Sequence, residues 1–311
     1  MNLATIDIGT NTVLLLVASI DDAGGISPLI YEQRIPRLGK GVDASRRLQP
    51  EAMERVVAVL QEYRKLIATL PVEDVIVCGT SAVRDAANRD ELSARIKAHT
   101  DWNLEVLSGE NEALWTYRGA VSGVPDADRA TVIDIGGGST EIIVGNRRTI
   151  KQKISLDIGS VRLTERFFRH DPPTHPELET AIDMVEDEIA RAGRFEFAGS
   201  RLIGVAGTAT SLALLAQGIQ KFDLHAVTNY RMTADSVTYL FRTLRGMPSG
   251  MILDQSPVMA GRADVIVAGC LILREMMEHL RFDEMIVSER GVRYGLVLRE
   301  WERRRIGGGT V

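Results

Sequence analysis

Three short stretches of this 311-residue chain carry the residue types that hold an anion by its oxygens. Asp7 to Thr12 reads DIGTNT, Asp134 to Thr140 reads DIGGGST, and Gly204 to Ser211 reads GVAGTATS. In each, an apolar run stops at small residues whose glycines permit positive φ and close approach. Successive backbone N–H groups can then converge on one oxygen, with Thr and Ser hydroxyls as further donors. The phosphate donors so assigned are Gly9, Thr10, Asn11, Gly136, Gly137, Gly138, Ser139, Gly207, Thr208 and Thr210. One such loop alone reads as an ordinary hairpin or βα turn. Three in one chain, two with acids at matched positions, point to a phosphate site.

Acids beside these loops would repel a phosphate unless a cation stood between them. Asp7, Asp134 and Glu141 together suit Mg²⁺, which takes a few carboxylates plus waters and phosphate oxygens. The plainer alternatives are turn carboxylates at strand ends and, for Glu141, an exposed strand residue. Glu110, Asn111 and Glu112 open a helix capped by Ser108 and Gly109, with Ala113, Tyr117, Ala120 and Val121 on its apolar face. Glu112 there is either a partner of the helix dipole or a base positioned to take a proton from water. Arg84 follows a strand and a small-residue loop, so its guanidinium suits phosphate oxygens or a surface pair with Asp85. The loop Arg37 to Gly41, with Arg46 and Arg47, reads equally as a second phosphate contact or a solvated surface. His170 and His175 flank two prolines, a spacing that suits a loop rather than a metal site.

The elements that must position these groups repeat. ATIDIGTNTVLLLV (Ala4 to Val17) overlays TVIDIGGGSTEIIV (Thr131 to Val144) at an offset of 127 residues. Each copy reads as a strand, a tight turn and a second strand, which is a hairpin and suggests a duplicated domain. Ser122 to Ala130, with Gly123 and Pro125, breaks the apolar patterning. It places the domains at 1–124 and 125–290, with a C-terminal helix near 291–311 as a candidate to complete the first. Met53, Val56, Leu60, Tyr63, Ile67 and Leu70 mark one helix face; Leu178, Ile182, Val185 and Ile189 mark another. Strands are expected at Val75 to Cys78, Leu202 to Ala206 and Met285 to Val287. Gly79 to Ser81 reads as a loop, Gly207 to Thr210 as a turn, Ser211 as a helix start, Gly291 to Arg305 as a helix and Gly307 to Gly309 as a tail. Alternating strands and helices predict an α/β fold.

The formal charge is −5 and the isoelectric point about 5.7. Without a global basic field, nucleic acid and anionic membranes are not expected partners. No signal peptide is expected, since Asp7 interrupts the N-terminal apolar stretch, and no run approaches the ~20 apolar residues of a membrane span. Cys78 and Cys270 supply neither a disulfide framework nor a four-ligand metal cluster, so a cytoplasmic location is expected.

Taken together, DIGTNT, DIGGGSTE, TSAVRDAANRDE (Thr80 to Glu91), SGENEA (Ser108 to Ala113), GVAGTATSLA (Gly204 to Ala213) and SERGVRYG (Ser288 to Gly295) resemble the Ppx/GppA family of exopolyphosphatases and guanosine pentaphosphate phosphohydrolases. The resemblance runs from Met1 to about Arg299. It implies a duplicated ribonuclease H-like, actin-like ATPase superfold with two domains and an interdomain cleft. It also implies Mg²⁺-dependent release of the terminal phosphate of inorganic polyphosphate, or of the 5′ γ-phosphate of guanosine pentaphosphate. Carried over residue by residue, Glu112 is the catalytic glutamate and Arg84 the arginine of the S-A-x-R-D segment. Asp7, Asp134 and Glu141 are the loop acids. Where the family has two adjacent glutamates, this chain has Asn111 before Glu112. Long members append a helical domain after the core; a short form without it is expected here, and a homodimer stays open. A phosphate-chain or alarmone sensor and an ATP-dependent kinase or ATPase of the same superfold are the alternatives.

Overall fold

The computed structural model describes residues 1–125, 127–147 and 149–307. The chain runs β1 (Asn2–Ile8), β2 (Val13–Ile20), β3 (Ile26–Arg34), α1 (Val42–Ser45), α2 (Pro50–Ile67), β4 (Asp74–Gly79), α3 (Ser81–Asp85), α4 (Arg89–Thr100), β5 (Leu104–Val106) and α5 (Gly109–Ser122). It continues with β6 (Ala130–Ile135), β7 (Thr140–Gly145), β8 (Ile150–Leu156), α6 (Ser160–Phe167), α7 (His175–Ala190), β9 (Arg201–Val205), α8 (Ala206–Ala216) and α9 (Leu224–Val227). Last come β10 (Arg231–Thr233), α10 (Ala234–Leu244), α11 (Ser249–Gln255), a 3₁₀ turn at Pro257–Met259, α12 (Ile266–His279), β11 (Glu284–Val287) and α13 (Val292–Gly307). Two compact units result, Met1–Gly119 with Gly291–Val311, and Ala120–Arg290, so the division runs through α5. Of the expected tail, Gly307 ends α13 and the remainder lies outside the described residues.

The first unit's sheet has the order β3-β2-β1-β4-β5, and the second unit's reads β8-β7-β6-β9-β11 with β10 added at its edge. In both, the first three strands are antiparallel and the next two parallel. This repeat is the duplicated α/β architecture expected from the sequence. Asp7 pairs with Leu14 and Cys78; 127 residues on, Asp134 pairs with Glu141 and Val205. The two hairpins are therefore in one register, which sets the same positions on the same face.

Strand alternation decides what each face meets. Ala4, Ile6 and Ile8 on β1 join Met53, Val56, Leu60 and Tyr63 of α2 in one core. Leu3, on the opposite face, packs with Tyr294 and Val297 of α13. Thr5 shares that face and donates its hydroxyl to the carbonyl oxygen of Arg293 at 3.2 Å. In the second unit, α12 is apolar on nearly all sides and lies in the core against Ile133, Ile135 and Ile142, as a fully covered helix must be. The helix through Leu178 begins at a Thr174/Glu177 capping box, so His175 is its first residue and belongs to no loop.

Other expectations change as well: Gly79 ends β4 and Ser81 opens α3, so Gly79 to Ser81 is no loop, and α8 starts at Ala206, ahead of Ser211. Gly207 to Thr210 is no turn, because Ala206 takes φ 64° and sends β9 directly into α8. That left-handed alanine stores strain at the strand's end.

Candidate functional site

Each hairpin loop is held by its carbonyls. In the second unit, Gly136 O accepts from Ser160 N at 2.9 Å, and Gly137 O accepts from Val161 N and Arg162 N at 2.9 Å each. These donors belong to the first turn of α6. A planar trans peptide puts its N–H opposite its C=O. The amides of Gly137 and Gly138 therefore face away from α6, on one side of the loop. Among the described residues, the amides of Gly137, Gly138 and Ser139 donate to no protein acceptor. Gly159 backs this loop so closely that a Cβ there would lie 2.5 Å from Gly137 O and 2.7 Å from Gly138 N.

The first unit repeats the device with another backing. Gly9 N donates to Thr12 O at 2.9 Å, as Gly136 N does to Ser139 O at 3.0 Å. Thr10 O accepts from Gly39 N at 2.7 Å and Asn11 O from Arg37 N at 3.0 Å, turning the next two amides the other way. The basic stretch Arg37 to Gly41 thus supports the loop by its backbone, with Leu38 fully buried. Arg46 and Arg47 are exposed.

The third loop opens α8, whose first amides have no side-chain cap and so suit an anion. Its hydroxyls are committed inward: Thr208 Oγ1 donates to Ile135 O at 3.2 Å, and Thr210 Oγ1 to Ala206 O at 3.0 Å. The guanidinium of Arg262 lies over Gly207, where a Cβ would meet Nη1 at 1.8 Å. Sequence reasoning missed Arg262, since it reaches this loop only through the fold.

Asp7 is the penultimate residue of β1, on the α13 face. Burial raises its carboxyl from the ordinary range to about 6, against the opposing pull of Arg293 and a hydrogen bond from Thr80. Arg293, itself buried, donates through Nη1 to Leu15 O at 3.0 Å and stacks 4.2 Å from the Tyr31 ring centre. Its place in SERGVRYG was the only sequence signal for it. The Cys78 thiol lies 4.0 Å from Asp7 Oδ1, and burial, reinforced by that carboxylate, raises it well above its usual range. Such a thiol is inert.

Glu112 lies in the first turn of α5, where Ser108 Oγ accepts from Asn111 N at 3.2 Å as a cap should. It is buried, and Arg84 Nη1 donates to its Oε2 at 2.5 Å and to Leu107 O at 3.3 Å. Arg84 therefore pairs with Glu112, while Asp85 lies 3.8 Å from Arg46. In the second unit, Glu141 is buried across the strand pair from Asp134 and accepts from Ser155 Oγ at 2.7 Å.

The acids suit a hard divalent cation. Asp134 and Glu141 supply oxygen alone, and the burial that penalises the Asp7 carboxylate is relieved by a positive ion. Among the described residues, the group of ligand-type side chains with atoms within 4.8 Å of one another is a different one, Glu186, Glu275 and His279. No described helix is long and apolar enough to cross a membrane.

A family model described as the Ppx/GppA phosphatase family matches residues 16–304. Exopolyphosphatase 2 of Mycobacterium tuberculosis is 37% identical, the alignment covering 95% of this chain and 97% of that protein. The crystal structure of the Aquifex aeolicus Ppx/GppA family member superposes with a TM-score of 0.81 at 34% identity, covering 98% of each chain. An exopolyphosphatase from Cytophaga hutchinsonii gives 0.89 at 28% identity, over 97% of this chain and 98% of that one. With the repeated sheet, the twin loops and these relatives in agreement, the chain belongs to the Ppx/GppA phosphatase family.

Proposed function

We propose that the chain hydrolyses the terminal phosphoanhydride of inorganic polyphosphate, with the 5′ γ-phosphate of guanosine pentaphosphate as a second substrate of the same chemistry. The observation that carries this reading is the peptide orientation at Gly136 to Ser139. The loop's carbonyls are spent on α6, and its amides are left to meet an anion. An acidic protein can hold a polyanion this way, through local dipoles in place of net charge.

Gly9 to Asn11, Gly136 to Ser139, the α8 start at Gly207 to Thr210, and Arg84 hold phosphate oxygens in this reading. Arg262 joins them over Gly207. Glu112 accepts the proton of the attacking water, and its hydrogen bond to Arg84 orients the carboxylate for that task. Phosphoryl transfer needs little covalent help from a protein, so positioning and charge carry most of the acceleration. Asp134 and Glu141 would hold Mg²⁺, which when bound neutralises charge on the phosphate oxygens, and Asp7 is the matching acid of the first unit's loop.

Orthophosphate release should be measured with Mg²⁺ from polyphosphates of defined length, guanosine pentaphosphate and ATP in parallel. Release from either of the first two supports the reading. Binding of both without release would make the chain a sensor, and turnover confined to ATP would make it a kinase or ATPase.

A further inference from the structure

Glu186 on α7 and Glu275 and His279, one turn apart on α12, lie together in the second unit. One ligand atom from each falls within 4.8 Å of the other two. His279 Nδ1 lies 2.9 Å from Glu275 O, which assigns the proton to Nδ1 and the lone pair to Nε2. That Nε2 is 3.7 Å from Glu186 Oε1. Glu275 is buried and is gripped at Oε1 by Arg274 (Nε, 2.8 Å), itself stacked 4.2 Å from the Phe241 ring centre. Its other oxygen, Oε2, lies 3.8 Å from His279 Nδ1, on the edge of the ring next to the Nδ1–H. Both helices end within a turn or so of these side chains, so their negative termini favour a cation.

Glu186 and His279 also line a cavity of about 930 Å³ whose wall includes Arg129, Ser200, Phe197 and Phe282. Arg129, Ser200 and Phe282 precede β6, β9 and β11, so this cavity sits at the opposite strand ends from the Gly136 and Gly207 loops. It gives an ion a path to the cluster and room for the water that completes its shell.

We propose that Glu186, Glu275 and His279 bind a borderline divalent cation of the Zn²⁺ or Co²⁺ class, with one coordination position open to the cavity. One imidazole nitrogen with two carboxylates suits such ions, whereas Mg²⁺ prefers oxygen throughout.

The test uses the full, tag-free chain in millimolar Mg²⁺, which occupies carboxylate-only sites. Co²⁺ is titrated against visible absorption and Zn²⁺ by calorimetry. The expected result is one equivalent bound, with His279→Gln and Glu186→Gln each weakening it by at least ~10-fold at unchanged melting temperature. Both substitutions are at solvent-accessible side chains; Glu275 is left intact because removing it would strand Arg274. No binding by the parent chain, or binding that survives both substitutions, overturns the proposal and leaves His279 and Glu186 as an ion pair.

Discussion

The carboxylate of Glu112 and the guanidinium of Arg84 meet at 2.5 Å, between the first turn of α5 and the last turn of α3. In the proposed reading, an anion that draws on Arg84 competes with Glu112 for the same guanidinium. Glu112→Gln keeps the shape and an acceptor oxygen for Arg84 but cannot take a proton from water. Orthophosphate release should fall ~10²–10⁴-fold, while calorimetric affinity for a short polyphosphate stays within a few-fold. Unchanged turnover would remove Glu112 from the chemistry.

Gly159→Ala places a methyl 2.5 Å from Gly137 O, so the loop must retreat by roughly 1 Å. Misplacement of that size costs up to ~10²-fold in rate. We expect that loss, with destabilisation of about 1–3 kcal/mol. Thermal melts and release kinetics on the same preparation separate the two effects; wild-type kinetics with a lowered melting temperature would mean the loop holds no substrate.

Asp7 makes stability depend on pH in metal-free protein. Its folded carboxyl titrates near 6, against 3.8 for an unperturbed one. A raised value means that the folded state favours the protonated form. That stabilisation is full below about pH 4 and is lost as pH rises through about 6. Asp7→Asn should thus be more stable than the parent at pH 7 by on the order of 1–3 kcal/mol, with the gap closing near pH 4. Chemical denaturation in chelator at the two pH values is the measurement. A gap that widens on acidification would contradict the burial argument.

At Gly207 the neighbour that a methyl would strike is the far end of a flexible side chain, Arg262. Gly207→Ala should leave melting almost unchanged yet push the guanidinium aside. Polyphosphate affinity should then drop about as much as in Arg262→Ala, by ~10-fold or more for a charge-assisted hydrogen bond. The Arg46→Ala, Arg47→Ala pair, exposed and screened by salt, should lose less. The reverse ranking would put recognition on the outer basic loop.

How far the sequence could be read follows from where its signals are local. The matched Asp7 and Asp134 loops were legible because hairpin chemistry sits within a dozen residues, and their common register followed. Helices with a clear apolar face, such as the one through Met53 and Leu60, were legible for the same reason. Gly207 to Thr210 was misread because small residues that resemble a turn also suit the first turn of a helix entered through a left-handed Ala206. Arg262, Gly159 and the supporting role of Arg37 to Gly39 were hidden, since each acts on a loop distant in sequence. Arg84 was expected on phosphate oxygens or beside Asp85, and the partner it has, Glu112, comes from another helix 28 residues on.

The division of the first unit between the two ends of the chain has a consequence for how the protein is made. The continuous second unit, Ala120–Arg290, leaves the ribosome whole and can close its core at once. The first unit must wait: Leu3, Leu16 and Ala18 stay uncovered on one sheet face until Tyr294 and Val297 emerge. During translation one apolar face of its β1–β2 hairpin therefore waits for a helix encoded almost a whole chain length later.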